Sequence, residues 1–287
     1  RYMIHFTDDF SRYTKVYFLK SRAGSAVTEM FEDYCNWLKK VHHQQHKDDF
    51  RVREVVPVRS IQVDGAQEYV AGEFAQHCED MNIMQRVTSP YLHENAAIAE
   101  RVWKTLQEVA MPMLTLSDLD RKFWPAAFRH ANWICNRMPH TWLKNEKSPF
   151  EVMFNQKPDL SNVRIFGCDA YSFIDKSNRD HGKLGDHSKQ YSYIGQDDTS
   201  KSYLLLDKDT SKVILSGMVT FDENKILYKQ RINMYYSLDQ YKRDHDMLTI
   251  GALEKIPEGT LVDETQIEEY KNIKIKGIKQ INICYDI

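Results

Sequence analysis

The chain has 287 residues, of which 42% are hydrophobic and 28% are charged, so it can bury a sizeable core, and we expect one large domain and one smaller one. Its net charge of −2 excludes a protein held to nucleic acid by overall charge, and any DNA contact must come from local basic surfaces. No signal peptide and no apolar run of membrane-spanning length occurs, and the first residue is not Met. We interpret the sequence as an internal segment of a longer product without membrane contact. The five cysteines are scattered, which predicts neither disulfides nor a zinc knuckle and favours an intracellular, reducing environment.

The first half of the chain alternates predicted strands with predicted helices. Two strands rich in aromatic and β-branched residues, at 2–6 and 14–19, enclose a polar turn and predict a hairpin. Apolar residues at steps of three and four predict a helix over 25–41. The elements that follow are a strand at 61–63, a helix at 72–82, a strand at 83–87, and helices at 95–114 and 120–137. This order predicts an α/β domain with a mixed sheet flanked by helices.

Two acidic residues are candidates for a shared site because they lie on two different predicted elements. Asp64 follows the strand at 61–63, and Glu100 lies on the helix at 95–114 beside its apolar stripe, with 35 residues between them. Mg²⁺ prefers carboxylate oxygens and usually rests on one or two of them, and pairs of metal ions serve phosphoryl transfer. The alternative is that both belong to the solvated surface, as most of the 41 acidic residues do.

The segments around both carboxylates resemble the integrases of copia-type retrotransposons. Residues 62–69 (QVDGAQEY) are similar to the family's SDNGGEF segment, and residues 90–101 (PYLHENAAIAER) are similar to its PYTPQQNGVAER segment. Further similar segments keep the family's order, at 6–13, 123–124, 136–139, 148–151 and 164–168. The resemblance therefore covers roughly residues 2–224.

This resemblance implies a function and a set of site residues. The family's signature is two aspartates and a glutamate, and Asp64 and Glu100 match its second and third positions. Both are thereby implied to be catalytic and to hold Mg²⁺ or Mn²⁺, in a ribonuclease H-like fold over residues 1–157 that lacks its first strand. The implied reaction is DNA integration, by 3′-end processing of element DNA and strand transfer into target DNA. The implied partners are DNA and further copies of the chain, in the nucleus or in a cytoplasmic particle.

Basic residues follow Glu100 on the same predicted helix. Arg101 and Lys104 are candidates for contacts with DNA phosphates. For Lys104 the alternative is an ion pair with Glu108, four residues further along.

After Pro139 the sequence changes to short runs that are typical of strands. The predicted strands lie at 163–166, 170–174, 190–194, 202–206, 213–215 and 218–221, and they predict a small β-barrel. By resemblance, residues 158–224 are the SH3-like module that follows the catalytic core in this family. Its aromatic residues are candidates for stacking on bases, with filling of the barrel core as the alternative: Tyr171, Phe173, Tyr191, Tyr193 and Tyr203. Residues 225–287 are predicted to be a charged linker or tail, although 271–287 alternate in a strand-like way.

Departures from the family pattern limit the activity that we expect. The family's first catalytic Asp lies upstream of this segment, and Asp8 and Asp9 are predicted to serve the hairpin turn. Ala96 and Ala97 replace an Asn-Gly pair whose glycine permits close backbone approach, and Trp103 is expected to cover the groove where DNA would lie. We therefore expect an integrase core that is inactive as given. The alternative is a non-catalytic relic that retains nucleic-acid binding or self-association.

Overall fold

The computed structural model describes residues 2–45, 58–63, 67–87, 93–175, 185–197, 200–224, 226 and 281–284. The helices are α1 (Gly24–Gln45), α2 (Gln67–Val70), α3 (Glu73–Asp80), α4 (His93–Leu116), α5 (Trp124–Cys135) and α6 (Pro149–Phe154). The strands are β1 (Tyr2–Asp8), β2 (Thr14–Leu19), β3 (Ser60–Val63), β4 (Met84–Val87), β5 (Asp169–Phe173), β6 (Ser188–Gln196), β7 (Tyr203–Leu206), β8 (Val213–Ser216), β9 (Val219–Asp222) and β10 (Ile281–Cys284). None of the helices in these ranges is long and apolar enough to cross a membrane.

Five strands form the first sheet, in the order β2-β1-β10-β3-β4. β1 and β2 make the predicted antiparallel hairpin, with Tyr2 opposite Leu19, whereas β3 runs parallel to β4. Parallel and antiparallel pairs therefore occur in one sheet, which confirms the predicted mixed α/β architecture.

The central position of this sheet is occupied by β10, from near the end of the sequence. β10 runs parallel to β1, with Ile281 opposite Phe6, and antiparallel to β3, with Ile281 opposite Val63. Residues 281–284 therefore form a strand within the range 225–287 that is predicted to be a charged linker or tail. For residues 225, 227–280 and 285–287, which lie outside the described ranges, that prediction stays untested. The physical reason for the strand is that β1 and β3 each present unpaired backbone groups toward the other, and an extended segment between them satisfies both.

Side chains of β1 alternate between two helix layers. Ile4 and Phe6 face the layer of α1 and α3, where the ring of Phe6 lies 5.6 Å from that of Phe31. Met3 faces the opposite layer and packs in the core of α4 and α5. The two-residue period of the strand thus places the first sheet between two helical layers.

The second sheet is antiparallel, in the order β8-β7-β6-β5-β9. These strands confirm five of the six predicted in this half. β8 and β9 are the edges of the ladder within the described ranges, so closure into a barrel stays a prediction. The strand predicted at 163–166 is wrong, because Phe166 is buried against α4 and α5 and Gly167 turns the chain with a φ of +81°.

The second sheet and the helices α4 and α5 share one hydrophobic core. This core contains Leu106, Phe128, Phe166, Ile194 and Leu206. His130 of α5 lies at the same junction, with its ring 5.7 Å from Phe166 and 5.4 Å from Tyr193. Its ring nitrogens have no hydrogen-bond partner among the described residues, and desolvation lowers the pKa of this imidazole to about 4.

Candidate functional site

Glu100 lies on the solvent-exposed side of α4. Its neighbour Ala99 is 3% exposed and Leu106 is 1% exposed, so the buried stripe of the helix passes beside Glu100 and leaves its side chain in solvent. A carboxylate in this position is accessible to a hydrated cation, and its oxygens are the ligands that Mg²⁺ prefers. The placement beside the apolar stripe is the one that the sequence predicts.

Asp64 lies outside the described residues, which include β3 up to Val63. Its pairing with Glu100 therefore stays a prediction. In the ranges that the structure describes, no group of three or more His, Cys, Asp or Glu side chains is placed to hold a metal ion. The exposed carboxylate of Glu100 offers the oxygen ligands that Mg²⁺ and Mn²⁺ prefer, and a metal site shared with Asp64 stays a prediction.

Asp8 and Asp9 serve the turn between β1 and β2, as predicted. Oδ2 of Asp8 accepts hydrogen bonds from the backbone N–H of Ser11 at 2.8 Å and from its hydroxyl, and Asp9 makes a 2.7 Å ion pair with Arg12. Asp8 is 3% exposed, and desolvation raises the pKa of its carboxyl group. A metal ligand must be ionised and accessible, so burial disfavours Asp8 as a third metal-binding carboxylate.

The two basic residues after Glu100 have different surroundings. Cζ of Arg101 lies 5.0 Å from the ring centroid of Trp142, which is a cation–π contact. Nζ of Lys104 lies 3.9 Å from the carboxylate of Glu108, the ion pair that the sequence offered as the alternative. Both members of that pair are mostly exposed, so it contributes at most about 1 kcal/mol and leaves Lys104 accessible to a phosphate.

Arg101 also lines a cavity of about 410 Å³ between α4, α5 and the loop after α5. Its apolar lining includes Ile98, Val102, Leu106 and Pro149. Arg12 lines it as a second cation, and none of the described lining residues is acidic. The volume is typical of sites for small ligands, and the lining combines apolar side chains with polar and charged ones.

Asn132 of α5 and Asn136, the residue that follows this helix, fix the start of β2 beside this cavity. Nδ2 of Asn132 and Nδ2 of Asn136 donate to the backbone carbonyl of Thr14 at 2.9 and 2.7 Å, and Oδ1 of Asn136 accepts from the N–H of Thr14 at 2.9 Å. Oδ1 of Asn132 has no hydrogen-bond partner within the described part of the chain, although Asn132 is only 8% exposed. A flipped amide would set Oδ1 against the carbonyl of Thr14, so the unpaired atom is an acceptor.

The loop after α5 adds an aromatic side chain to the cavity lining. Trp142 is 66% exposed, and its backbone N–H donates to Nδ1 of His140 at 3.3 Å. Desolvation, and then the charge of Arg12, lower the pKa of His140, which favours the neutral imidazole that can accept this bond.

Trp103 is half-buried and packs against the core of α4 and α5, and the expectation that it covers a DNA groove stays a prediction. Its ring stacks on Phe128 at a centroid distance of 5.2 Å with an interplanar angle of 10°. Trp103 lies four residues after Ala99 and three before Leu106, so it belongs to the same helix face as the buried stripe.

The aromatic residues of the second sheet divide by burial. Tyr193 is completely buried and makes edge contacts with Tyr203 and Phe221, so it has the core-filling role given as the alternative. Phe173 is 48% exposed and remains a candidate for stacking.

The cavity residues Asn132 and Trp142 were missed in the sequence. No spacing signal marks them, because the lining comes from the start of β2, from α4 and from α5 with its following loop. Three separate segments of the chain meet there only after folding.

Comparisons with known proteins agree with this architecture. Residues 168–233 match the family model of the retroviral polymerase SH3-like domain, a range that includes β5 to β9. The retrovirus-related Pol polyprotein from transposon RE1 of Arabidopsis thaliana is 30% identical over 246 residues, which are 85% of this chain and 15% of the polyprotein. The corresponding polyprotein from transposon TNT 1-94 of Nicotiana tabacum is 30% identical over 226 residues, 79% of this chain and 16% of the polyprotein.

A third polyprotein and one solved structure are also similar to this chain. The Pol polyprotein from transposon RE2 of Arabidopsis thaliana is 29% identical over 223 residues, 78% of this chain and 14% of the polyprotein. A chain of the simian T-cell lymphotropic virus intasome in complex with PP2A regulatory subunit B56 gamma is 15% identical, with 77% of each chain covered. Its TM-score is 0.38, which is too low to support an argument about fold or function. The polyprotein matches, together with the SH3-like module, show that the chain belongs to the family of copia-type retrotransposon Pol polyproteins, of which it corresponds to a segment.

Proposed function

We propose that this chain is the core region of a retrotransposon integrase, which binds the ends of element DNA and takes part in 3′-end processing and strand transfer. The observation that carries the proposal is the position of Glu100, which matches the family's glutamate and lies exposed on the long helix α4. The similarity to Pol polyproteins over 78–85% of the chain supports it. The proposed fold is ribonuclease H-like over residues 1–157, followed by the SH3-like module.

Glu100 and Asp64 are the proposed ligands of Mg²⁺ or Mn²⁺. The metal, when bound, supplies positive charge that stabilises the attacked phosphate and its attacking and leaving oxygens. The chain itself positions one ligand: burial of Ala99 and Leu106 fixes the rotation of α4, and this rotation presents Glu100 to solvent. A ligand on a rigid helix is held more precisely than one on a loop.

Arg101 and Lys104 are the proposed phosphate contacts. Because the chain has a net charge of −2, local cations must supply the attraction to DNA. We expect Arg101→Ala to weaken DNA binding for all sequences and to lower the salt dependence by about one counterion. Self-association is proposed along the edge strand β4, where Met84 and Val87 are 62% and 52% exposed.

The metal site is tested by comparing Glu100→Gln with Glu108→Gln, an exposed glutamate two turns further along α4. Mn²⁺ binding is measured by calorimetry, and strand transfer of a labelled element-end oligonucleotide is measured with Mg²⁺ or Mn²⁺. We expect Glu100→Gln to weaken Mn²⁺ binding at least tenfold and to abolish any strand transfer, and Glu108→Gln to leave both unchanged.

Equal Mn²⁺ binding by the parent chain and by Glu100→Gln would overturn the assignment of Glu100. DNA binding without Mn²⁺ binding in the parent chain would favour the non-catalytic alternative, in which the fold serves nucleic-acid binding or self-association only. The same strand-transfer assay, carried out with a longer segment of the polyprotein, tests whether residues outside this chain complete the metal site.

A further inference from the structure

We propose that the cavity between α4, α5 and the loop after α5 is a nucleotide site. Its ligand is an unstacked nucleotide of a DNA strand, whose base carries an exocyclic amino group and whose phosphate contacts Arg12 or Arg101. The inference rests on the proposed function, because DNA supplies the nucleotide. It adds a site for one nucleotide to the phosphate contacts already proposed.

The size and the walls of the cavity suit a base. A volume of about 410 Å³ lies in the range of small-ligand sites. Ile98, Val102 and Leu106 from α4, together with Pro149, line the cavity and provide the apolar surface that a base needs on leaving its stack.

One buried hydrogen-bond acceptor lacks a donor among the described residues. Oδ1 of Asn132 is unpaired among the described residues, while Nδ2 of the same amide is held by the carbonyl of Thr14 at 2.9 Å. A buried acceptor without a partner costs free energy that a ligand N–H recovers on binding. The amino group of adenine, cytosine or guanine is such a donor.

The charges around the cavity favour an anionic ligand. Two guanidinium groups, of Arg12 and Arg101, line it, and the described lining contains no carboxylate. Asp9 uses one terminal nitrogen of Arg12, at 2.7 Å, and a guanidinium carries five N–H donors in all. A phosphate therefore finds a cationic partner next to an apolar site for the base.

Trp142 provides an exposed aromatic surface at the same place. It is 66% exposed, and the guanidinium of Arg101 lies against its ring. Proteins that bind unpaired bases combine an aromatic ring, on which a base stacks, with a cation that contacts the phosphate. A neutral apolar ligand would explain neither the arginines nor the unpaired acceptor.

The proposal is tested with three mononucleotide probes and no metal. The probes are 2′-deoxyadenosine 5′-monophosphate, the corresponding purine nucleotide without the amino group, and 2-deoxyribose 5-phosphate. Binding is followed by equilibrium dialysis and by Trp142 fluorescence, with Trp142→Phe identifying the signal. We expect loss of the amino group to weaken binding about three- to tenfold, and loss of the base to weaken it at least tenfold.

Variants of α5 and α4 locate the site. Asn132→Leu should bind the two purine nucleotides equally, because it removes the acceptor, while Asn136 still holds Thr14. Circular dichroism first establishes that the variant is folded, and both affinities should stay measurable. Thr105→Trp fills the cavity and should weaken binding of the adenine nucleotide at least tenfold, whereas Thr115→Trp, on the same helix outside this cavity, should not.

Several results would overturn the proposal. Equal affinity for the adenine nucleotide and 2-deoxyribose 5-phosphate would reduce the site to a phosphate contact, and full affinity in Thr105→Trp would place binding elsewhere. Stronger binding of N-acetyltryptophanamide than of any nucleotide would identify a docking site for a protein side chain. Because these probes are measured without metal, failure of the metal assignment and failure of this proposal are distinguishable.

Discussion

Replacing Gly167 with alanine should destabilise the junction between the second sheet and the helices. Gly167 has a φ of +81°, and a Cβ at this position would lie 2.2 Å from Cβ of Ser117 and 2.8 Å from its Cα. The left-handed conformation costs a non-glycine residue roughly 1–2 kcal/mol, and overpacking typically costs about 1–3 kcal/mol. The free energy of unfolding should therefore fall by about 2–5 kcal/mol.

The measurement is thermal unfolding followed by circular dichroism, with Gly217→Ala as the matched control. A Cβ at Gly217 meets no atom within 4 Å, so this variant should stay close to the parent. For a domain of this size the loss at Gly167 corresponds to a decrease of roughly 5–15 °C in Tm. In a Ser117→Gly background the Cβ contact is absent while the positive φ remains, so the cost of Gly167→Ala should be smaller.

The reasoning is refuted if Gly167→Ala and Gly217→Ala unfold at the same temperature. It is also refuted if the Ser117→Gly background leaves the cost unchanged, because the contact with Cβ of Ser117 would then contribute nothing. In either case the described approach of the loop before β5 to the end of α4 would be incorrect.

Two further predictions concern buried histidines and the central strand. Burial lowers the pKa values of His5 and His130 to about 4, below the value of the unfolded chain, so stability should fall as the pH falls from about 6.5 to about 4. The free energy of unfolding should decrease between pH 7 and pH 5, and the decrease should be about 2 kcal/mol smaller in His130→Phe than in the parent. Urea unfolding at both pH values measures this difference, and an equal decrease in the two proteins would contradict the prediction. Cys284 lies opposite Ser60 in the antiparallel pair of β10 and β3, where Cα atoms are about 5 Å apart, so Ser60→Cys should form a disulfide with Cys284 on mild oxidation. Arg59→Cys, at the preceding residue, should not, and equal cross-linking of both variants would argue against this register.

The position of Glu100 could be predicted from the sequence, because a helix repeats its faces every three to four residues. The apolar spacing around it indicated an amphipathic helix, and the residue lies beside the buried stripe as expected. The buried stripe in the structure differs in detail from the apolar stripe of the sequence. Ala99, Ala110 and Leu114 are buried, whereas Val102 and Val109 are half-buried. Small residues are buried there because α5 packs closely against α4, and such contact between helices is not encoded in periodicity.

The sequence itself determined three features: the hairpin, the alternation of strands and helices, and five strands of the second half. These elements depend on side-chain period, turn chemistry and β-branched residues, all of which are local. The assignment to the Pol polyprotein family likewise follows from collinear segments.

Only the tertiary structure decided which distant segments meet. It placed β10 between β1 and β3, because two strands with unpaired backbone groups need a partner that can come from anywhere in the chain. It buried Asp8 beneath its own turn, and it stacked the half-buried Trp103 on Phe128. The cavity lined by Asn132 exists because the start of β2, α4 and α5 with its following loop converge, and a contact of that kind leaves no local pattern.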